Sequence, residues 1–423
     1  MSGWMRTKFL LAVSLVTMIT TTAHAEFETK TGWNDQLFPS FIISTATIKL
    51  PEEAVEDYEN ETVLGDRQGL LGVTIEAEED DTSVTVTVSC DAIMEPSVFT
   101  GTLASAGTTY TILPKIKFKY DALARQTQPG PVTVTFKVEI GDDDEEEVSK
   151  TLTLRSINDC PFTIVEDEES IDVSFMFAAY VNEQHPYVDK VLREALNTGI
   201  VDSFTGYQSG DKAEVFRQAY ALWHALSQRD LKYSSITTTS AESDSVNSQH
   251  VRLIDESINN AQANCVDGSV LLASLLRKVG IEPVLVMVPG HCYLGFYLDA
   301  KQTEIAGLET TLIGSTADDD DTPSIEGVDI DEKWQSENSW STFVSAIALG
   351  NNNLKENAEN FEKKEDPDYQ IISVYAARKI GILPIAFKSG SEFVASTAAK
   401  DRTPAKKIDD DDEEEDDEEA PTK

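Results

Sequence analysis

Positive charge is what this chain has least of. Of its 423 residues, 34 are Lys or Arg against 75 Asp or Glu, giving a formal net charge of −41. Such a chain does not bind nucleic acid or anionic lipid through its general field. Cationic or cell-surface partners, including basic peptides, suit it better. Long apolar runs are also missing. Beyond the N-terminus no stretch approaches the roughly 18–20 apolar residues a spanning helix needs, so no membrane insertion is expected. Cysteine is sparse, with four in the whole sequence. Neither a metal nor a cofactor is expected. The acidic runs lack the alternation of ligands and turn residues that an EF-hand requires.

The two ends stand apart from the fold. Arg6 and Lys8 form a short basic region, Phe9 to Ile19 is an apolar run of 11 residues, and Ala23-His24-Ala25 is a small-x-small cleavage signal. Together they predict a signal peptide over 1–25, hence export and a periplasmic or secreted protein. At the other end Asp409 to Glu419 is eleven consecutive acids. Charge this dense repels itself and buries no apolar area, so 397–423 is expected to be a disordered acidic tail. Shorter runs are six acids from Asp142 to Glu147 and four from Asp318 to Asp321.

What remains, about 400 residues, suggests two or three domains at about 150 residues each. Residues 26–165 read as β. Val73-Thr-Ile-Glu-Ala, Val84-Thr-Val-Thr-Val-Ser, Tyr110-Thr-Ile-Leu, Val132-Thr-Val-Thr-Phe-Lys-Val and Leu152-Thr-Leu-Arg alternate apolar and polar residues between Gly, Asp and Pro turns. A sandwich of about seven strands, immunoglobulin-like in architecture, is expected, with a positioning or docking role. Cys90 ends one strand-like run and Cys160 follows another, so a bridge between them is one option in an oxidising compartment.

Near Glu166 the period changes, and 166–396 is expected to be an α+β domain. Tyr187 to Asn197 and Ala213 to Asp230 read as helices, the second with Val215, Phe216, Ala219, Leu222, Trp223 and Leu226 on one face. Thr237 to Asp255 has the composition of an exposed lid or rim. Cys265 opens a helix to Lys278, stopped by Gly280. Glu282 to Val288, His291 to Leu298 and Glu304 to Thr311 read as strands. Helical stretches follow around Trp340 to Phe361 and Tyr369 to Ile380.

Cys265 and His291 are the chemistry-bearing pair. A helix N-terminus presents free N–H groups and partial positive charge, which favour a thiolate and suit an oxyanion. His291 is the candidate base. Strand parity puts 291, 293, 295 and 297 on one face and Cys292 on the other, so Cys292 reads as a buried thiol. Two acids compete for the third place. Asp299 shares the parity of His291 but lies eight residues along, about 26 Å at roughly 3.3 Å per residue. Glu309 is on a separate strand that can pair beside His291, and it is the favoured acid. Gln262, close to Cys265 in sequence, is a candidate oxyanion donor.

These motifs together resemble the transglutaminase-like, papain-type superfamily, over about residues 210–316. Asn264-Cys265-Val-Asp-Gly-Ser to Arg277-Lys-Val-Gly280-Ile281 resembles the nucleophile helix and its following turn. Gly290-His291-Cys-Tyr-Leu-Gly-Phe resembles the His strand, and Leu308-Glu309-Thr310-Thr311 is similar to the acid strand. The chain departs from the pattern by carrying Glu for Asp, by lacking a tryptophan before it, and by having Ala263-Asn264-Cys265 for Gly-x-Cys. The resemblance implies a cysteine-dependent acyl-transfer enzyme acting on amide or isopeptide bonds of a protein or peptide substrate. Its catalytic residues would be Cys265, His291 and Glu309. Hydrolysis is the first expectation. Cross-linking transamidation and a non-catalytic scaffold that keeps the fold are the alternatives.

Overall fold

The structure, a computed structural model, describes residues 27–48, 62–166, 169–235, 245–316, 324–363, 368–385 and 392–396. The expected signal peptide, the acidic tail, the acidic run from Asp318 and the first part of the expected lid lie outside them. The chain is mixed α/β and divides into two compact units. The first takes in the described residues of Met1–Gly32, Glu59–Phe118 and Thr133–Thr151. The second takes in those of Trp33–Tyr58, Lys119–Val132 and Leu152–Lys423. Where sequence periodicity suggests one boundary near residue 165, the chain passes between units several times. Leu152 to Val165 goes with the second unit because the strand Asp159–Glu166 pairs there with Val246–His250.

In the first unit, Phe27–Thr31, Leu71–Glu76, Thr109–Leu113 and Val63–Gly65 follow one another across one sheet. A second sheet has in this unit most of Glu146–Leu154 and of Gly130–Ile140, then Thr82–Cys90, Met94–Leu103 and Lys117–Phe118. The alternation read from the sequence appears as burial. Val84, Val86 and Val88 are buried on one strand, and Val134, Phe136 and Val138 face the same side of its neighbour, with Val86 opposite Val138. A slip of one residue would turn both rows to solvent, which fixes the register.

The second unit is built around the helix Cys265–Lys278. Eleven consecutive residues of it, from Val266 to Leu276, are buried. An antiparallel sheet in the order Ile305–Leu308, His291–Tyr297, Pro283–Val288, Gln370–Ser373 packs against this helix. The helices Pro186–Asn197 and Lys212–Gln228 complete the core on its other side. The helix Lys212–Gln228 buries Tyr220 and Trp223 fully. Trp223 Nε1–H donates to Thr342 Oγ1 at 3.2 Å, so its one polar atom is satisfied inside the core.

Two expectations change here. The supposed rim from Thr237 to Asp255 holds, in its described part, the strand Val246–His250 and the start of the helix Ile254–Asn260. Its polar composition reflects a strand whose main chain pairs with Asp159–Glu166 rather than a solvated loop. The stretch from Tyr369 begins as a strand, Gln370–Ser373, on the sheet's edge, and turns helical only at Val374. Its β-branched Ile371 and Ile372 favour that outcome.

Candidate active site

Cys265 is the first residue of its helix, and the sequence around it builds that terminus. Asn264 is the N-cap, its side chain accepting from the Asp267 N–H at 2.8 Å, while the Asp267 carboxylate accepts from the Asn264 N–H at 3.0 Å. This reciprocal capping box satisfies two of the helix's orphan donors. Asp267 is also tied to Arg252, which approaches to 2.6 Å through Nη1 and donates its main-chain N–H at 2.8 Å. Asp267 is therefore committed to holding the helix start. At the far end Arg277 and Lys278 complement the helix dipole, and Gly280, at φ +83°, ends it.

His291 opens its strand after a two-residue turn, Pro289-Gly290, with Val288 and His291 paired across it. Gly290 has φ +70°, a conformation that costs a side chain with a Cβ energy and costs glycine little. Cys292, one residue on, points into the core and is 1% exposed. Burial pushes its thiol well above the ordinary range, and the neighbouring Cys265 adds to this. Tyr293 returns to the His291 face, its ring stacked on the imidazole at 6.1 Å between centroids.

Glu309 lies just past the end of its strand, which stops at Leu308, and caps the turn Thr310–Leu312. The ladder ends with Leu308 opposite Leu294. Continued one step, it would set Glu309 beside Tyr293, diagonal to His291. The longer side chain of Glu spans that offset. His291 Nε2 donates to Glu309 Oε2 at 2.8 Å, while Glu309 Oε1 accepts from the Thr311 hydroxyl at 2.7 Å and its N–H at 3.1 Å. The carboxylate is 3% exposed. Burial pushes Glu309 upward, but His291 and then Thr311 outweigh it and hold the carboxyl below its ordinary range.

With Nε2 committed to Glu309, Nδ1 is the nitrogen left for Cys265. Hydrogen bonding with the Cys265 side chain first, and with Glu309 second, raises the imidazole to about 10 against the opposing effect of burial. The ring is thus held as an imidazolium at neutral pH, with a sulfur on one side and a carboxylate on the other.

The rival acid is elsewhere. Asp299 sits in the exposed turn after the His strand, accepting from the main-chain N–H groups of Lys301, Thr303 and Glu304 and from the Thr303 hydroxyl, which lowers its pKa. Gln262 is exposed and pairs beside Lys232 on a short strand, and it is not among the residues that line the cleft with Cys265. All four cysteines are free thiols. Cys90 lies in the first unit and Cys160 in the second, both buried, so the bridge considered above is not formed.

A cleft of about 240 Å³ opens onto Cys265 and His291. Phe162, Phe177, Val266, Met287 and Val288 give it an apolar wall. Thr163, Asp172, Ser174, Gln249 and Asp368 supply polar groups. Gln249 went unnoticed in the sequence, because it reaches the cleft through the pairing of its strand with Cys160, a partner 89 positions away. Among the described residues no cluster of three or more His, Cys, Asp or Glu could hold a metal ion, and no helix is long and apolar enough to cross a membrane. Comparison with known proteins returned no matching family model and no curated relative.

Proposed function

We propose that the second unit is a transglutaminase-like, papain-type domain that cleaves amide or isopeptide bonds of a protein or peptide through Cys265. The observation that carries this reading is the placement of one imidazole between a thiol at a helix N-terminus and a buried carboxylate. In the mechanism, Cys265 Sγ attacks the carbonyl carbon. The oxyanion that develops faces the N–H groups at the start of the helix, of which that of Asp267 is already taken by the Asn264 side chain. The Gln249 carboxamide, in the same cleft, is a second donor. His291 passes its proton to the leaving amine, the C–N bond breaks and a thioester remains. Water, deprotonated by His291, then releases the acid and restores the thiol. Glu309 keeps the ring oriented and supports its charge throughout.

In this reading the N-terminal unit is an immunoglobulin-like β-sandwich that docks or positions the enzyme outside the cytoplasm, after export by the N-terminal signal. The acceptor is water rather than an amine. Iodoacetamide at neutral pH tests the nucleophile. Cys265→Ser is expected to abolish rapid labelling and Cys292→Ser to leave it nearly intact, because Cys292 is buried with its thiol protonated. Labelling that persists in Cys265→Ser and disappears in Cys292→Ser would overturn the assignment.

A further inference from the structure

The cleft, at about 240 Å³, has room for a side chain or two. Its lining includes the apolar Phe162, Phe177, Met287 and Val288 and two carboxylates, Asp172 and Asp368. Asp172 is held in place, accepting from the Ser174 N–H at 3.0 Å and from Gln370 Nε2 at 2.6 Å. Among the described residues that line it there is no Lys or Arg. A lining that joins apolar surface to carboxylates matches the chemistry of a long basic side chain, whose methylene stem prefers apolar surface while its head seeks anions and water.

We infer that the acyl donor is a basic peptide, a Lys or Arg side chain lying along this wall with its cationic head at Asp172 and Asp368. The inference rests on the reading of Cys265 as the nucleophile, and it assigns Asp172 and Asp368 to substrate selection rather than to the reaction itself. Both aspartates are exposed, so each contributes modestly and in a salt-dependent way.

Peptidyl chloromethyl ketones test it. Cys265 Sγ displaces chloride from such a reagent, forming a C–S bond, so the rate of inactivation reports how well the peptide seats. Three probes differ in one residue, lysine, norleucine or glutamate, placed in turn at each of the two positions nearest the electrophile. At one of these positions the lysine probe is expected to react about tenfold faster than the norleucine probe at low salt, and faster still than the glutamate probe. High salt, or Asp172→Asn combined with Asp368→Asn, is expected to bring the first two rates together. Iodoacetamide labelling of Cys265 in the same variant is expected to stay unchanged. The pair Asp331→Asn and Glu332→Gln removes equal charge away from the cleft and is expected to preserve the preference. Normal iodoacetamide labelling with equal lysine and norleucine rates in the unaltered protein overturns the inference and leaves the nucleophile standing. So does a lysine preference that survives in the double aspartate variant. Failure of every reagent to label Cys265 overturns both.

Discussion

His291 holds its charge because two partners hold it, and each can be removed separately. Glu309→Gln keeps the shape of the side chain and deletes its negative charge. The charged imidazole, which favours attack by the sulfur beside it, then loses one of its two supports. Alkylation of Cys265 is expected to slow by about tenfold or more at pH 6 and by much less at pH 9, where a thiol ionises without help. Equal slowing at both pH values would mean that the substitution disturbs access rather than charge. Asp299→Asn is expected to change neither rate, since its bonds close only its own turn. Stability carries the same signature. His291 is raised from 6.5 to about 10, so the stability its charge contributes is complete below about 6.5 and is lost as pH climbs through about 10. Glu309 is lowered from 4.5, so its contribution is present above that value and is lost as pH falls through the depressed one. Between pH 7 and 10.5 the Tm of wild type is expected to fall more than that of His291→Ala. Parallel curves would remove the linkage.

At the scale of elements, two contacts fix the site. One is the clamp on the Cys helix. Asp267, with no exposed side-chain surface, joins Arg252 to the helix cap. Asp267→Ala removes the buried carboxylate that joins the Arg252 side chain to the helix cap, and breaking such a largely buried pair is expected to cost about 3–5 kcal/mol. A normal denaturation midpoint combined with lost Cys265 labelling would instead make Asp267 a partner in the chemistry. The other contact is the crossing of the acid strand and the helix Asn338–Glu356, where Gly307 meets Gly350. A Cβ on Gly350 would lie 2.4 Å from Gly307 C and Leu308 N, both main-chain atoms that cannot rotate away. The same helix receives the Glu309 N–H at Ala346 O, 3.0 Å away. Gly350→Ala is therefore expected to cost about 1–3 kcal/mol and also to slow Cys265 alkylation at pH 6, because the displaced backbone is the one that carries Glu309. Chemical denaturation and the labelling rate measure the two effects, and an unchanged midpoint would sink the argument.

At the scale of the molecule, the C-terminal segment has a part that docks and a part whose sequence offers nothing to pack. Phe393 lies under the Arg229 guanidinium at 4.5 Å and against Tyr187 at 5.0 Å, and Ser396 Oγ donates to Gln228 O at 2.9 Å. A chain ending at Ser396 loses the eleven-acid run and is expected to keep its Tm and its thiol reactivity. A chain ending at Ile385 loses those contacts with the helices Pro186–Asn197 and Lys212–Gln228 and is expected to melt several degrees lower. Thermal melts of the two truncations distinguish them. A large drop in the first would show the acidic run bound to a basic surface of the fold.

The residues from Cys265 to Leu308 were legible one element at a time, because each is built from local signals. Gly280 stops the Cys helix, Pro289-Gly290 turns the chain, and alternation sends Cys292 inward. The same locality revealed the valine rows of the first unit. Elements whose partners are distant in sequence were read wrongly or not at all. Val246–His250 looked like a loop because its apolar content is low, and it is a strand because Asp159–Glu166 lies beside it. Gln370–Ser373 has no local signal for the edge of Pro283–Val288 that it joins, and its sequence runs on without a break into the helix that follows. The choice of Glu309 over Asp299 came from reach along a strand, a local quantity. The diagonal offset that a glutamate can span, the Thr311 bonds that steer it and the presence of Gln249, Asp172 and Asp368 in one cleft depend on pairings across 2 to more than 100 residues. Local chemistry selects helix, turn and strand. Which side chains meet is a property of the register and of the packed core, where hundreds of weak contacts act together.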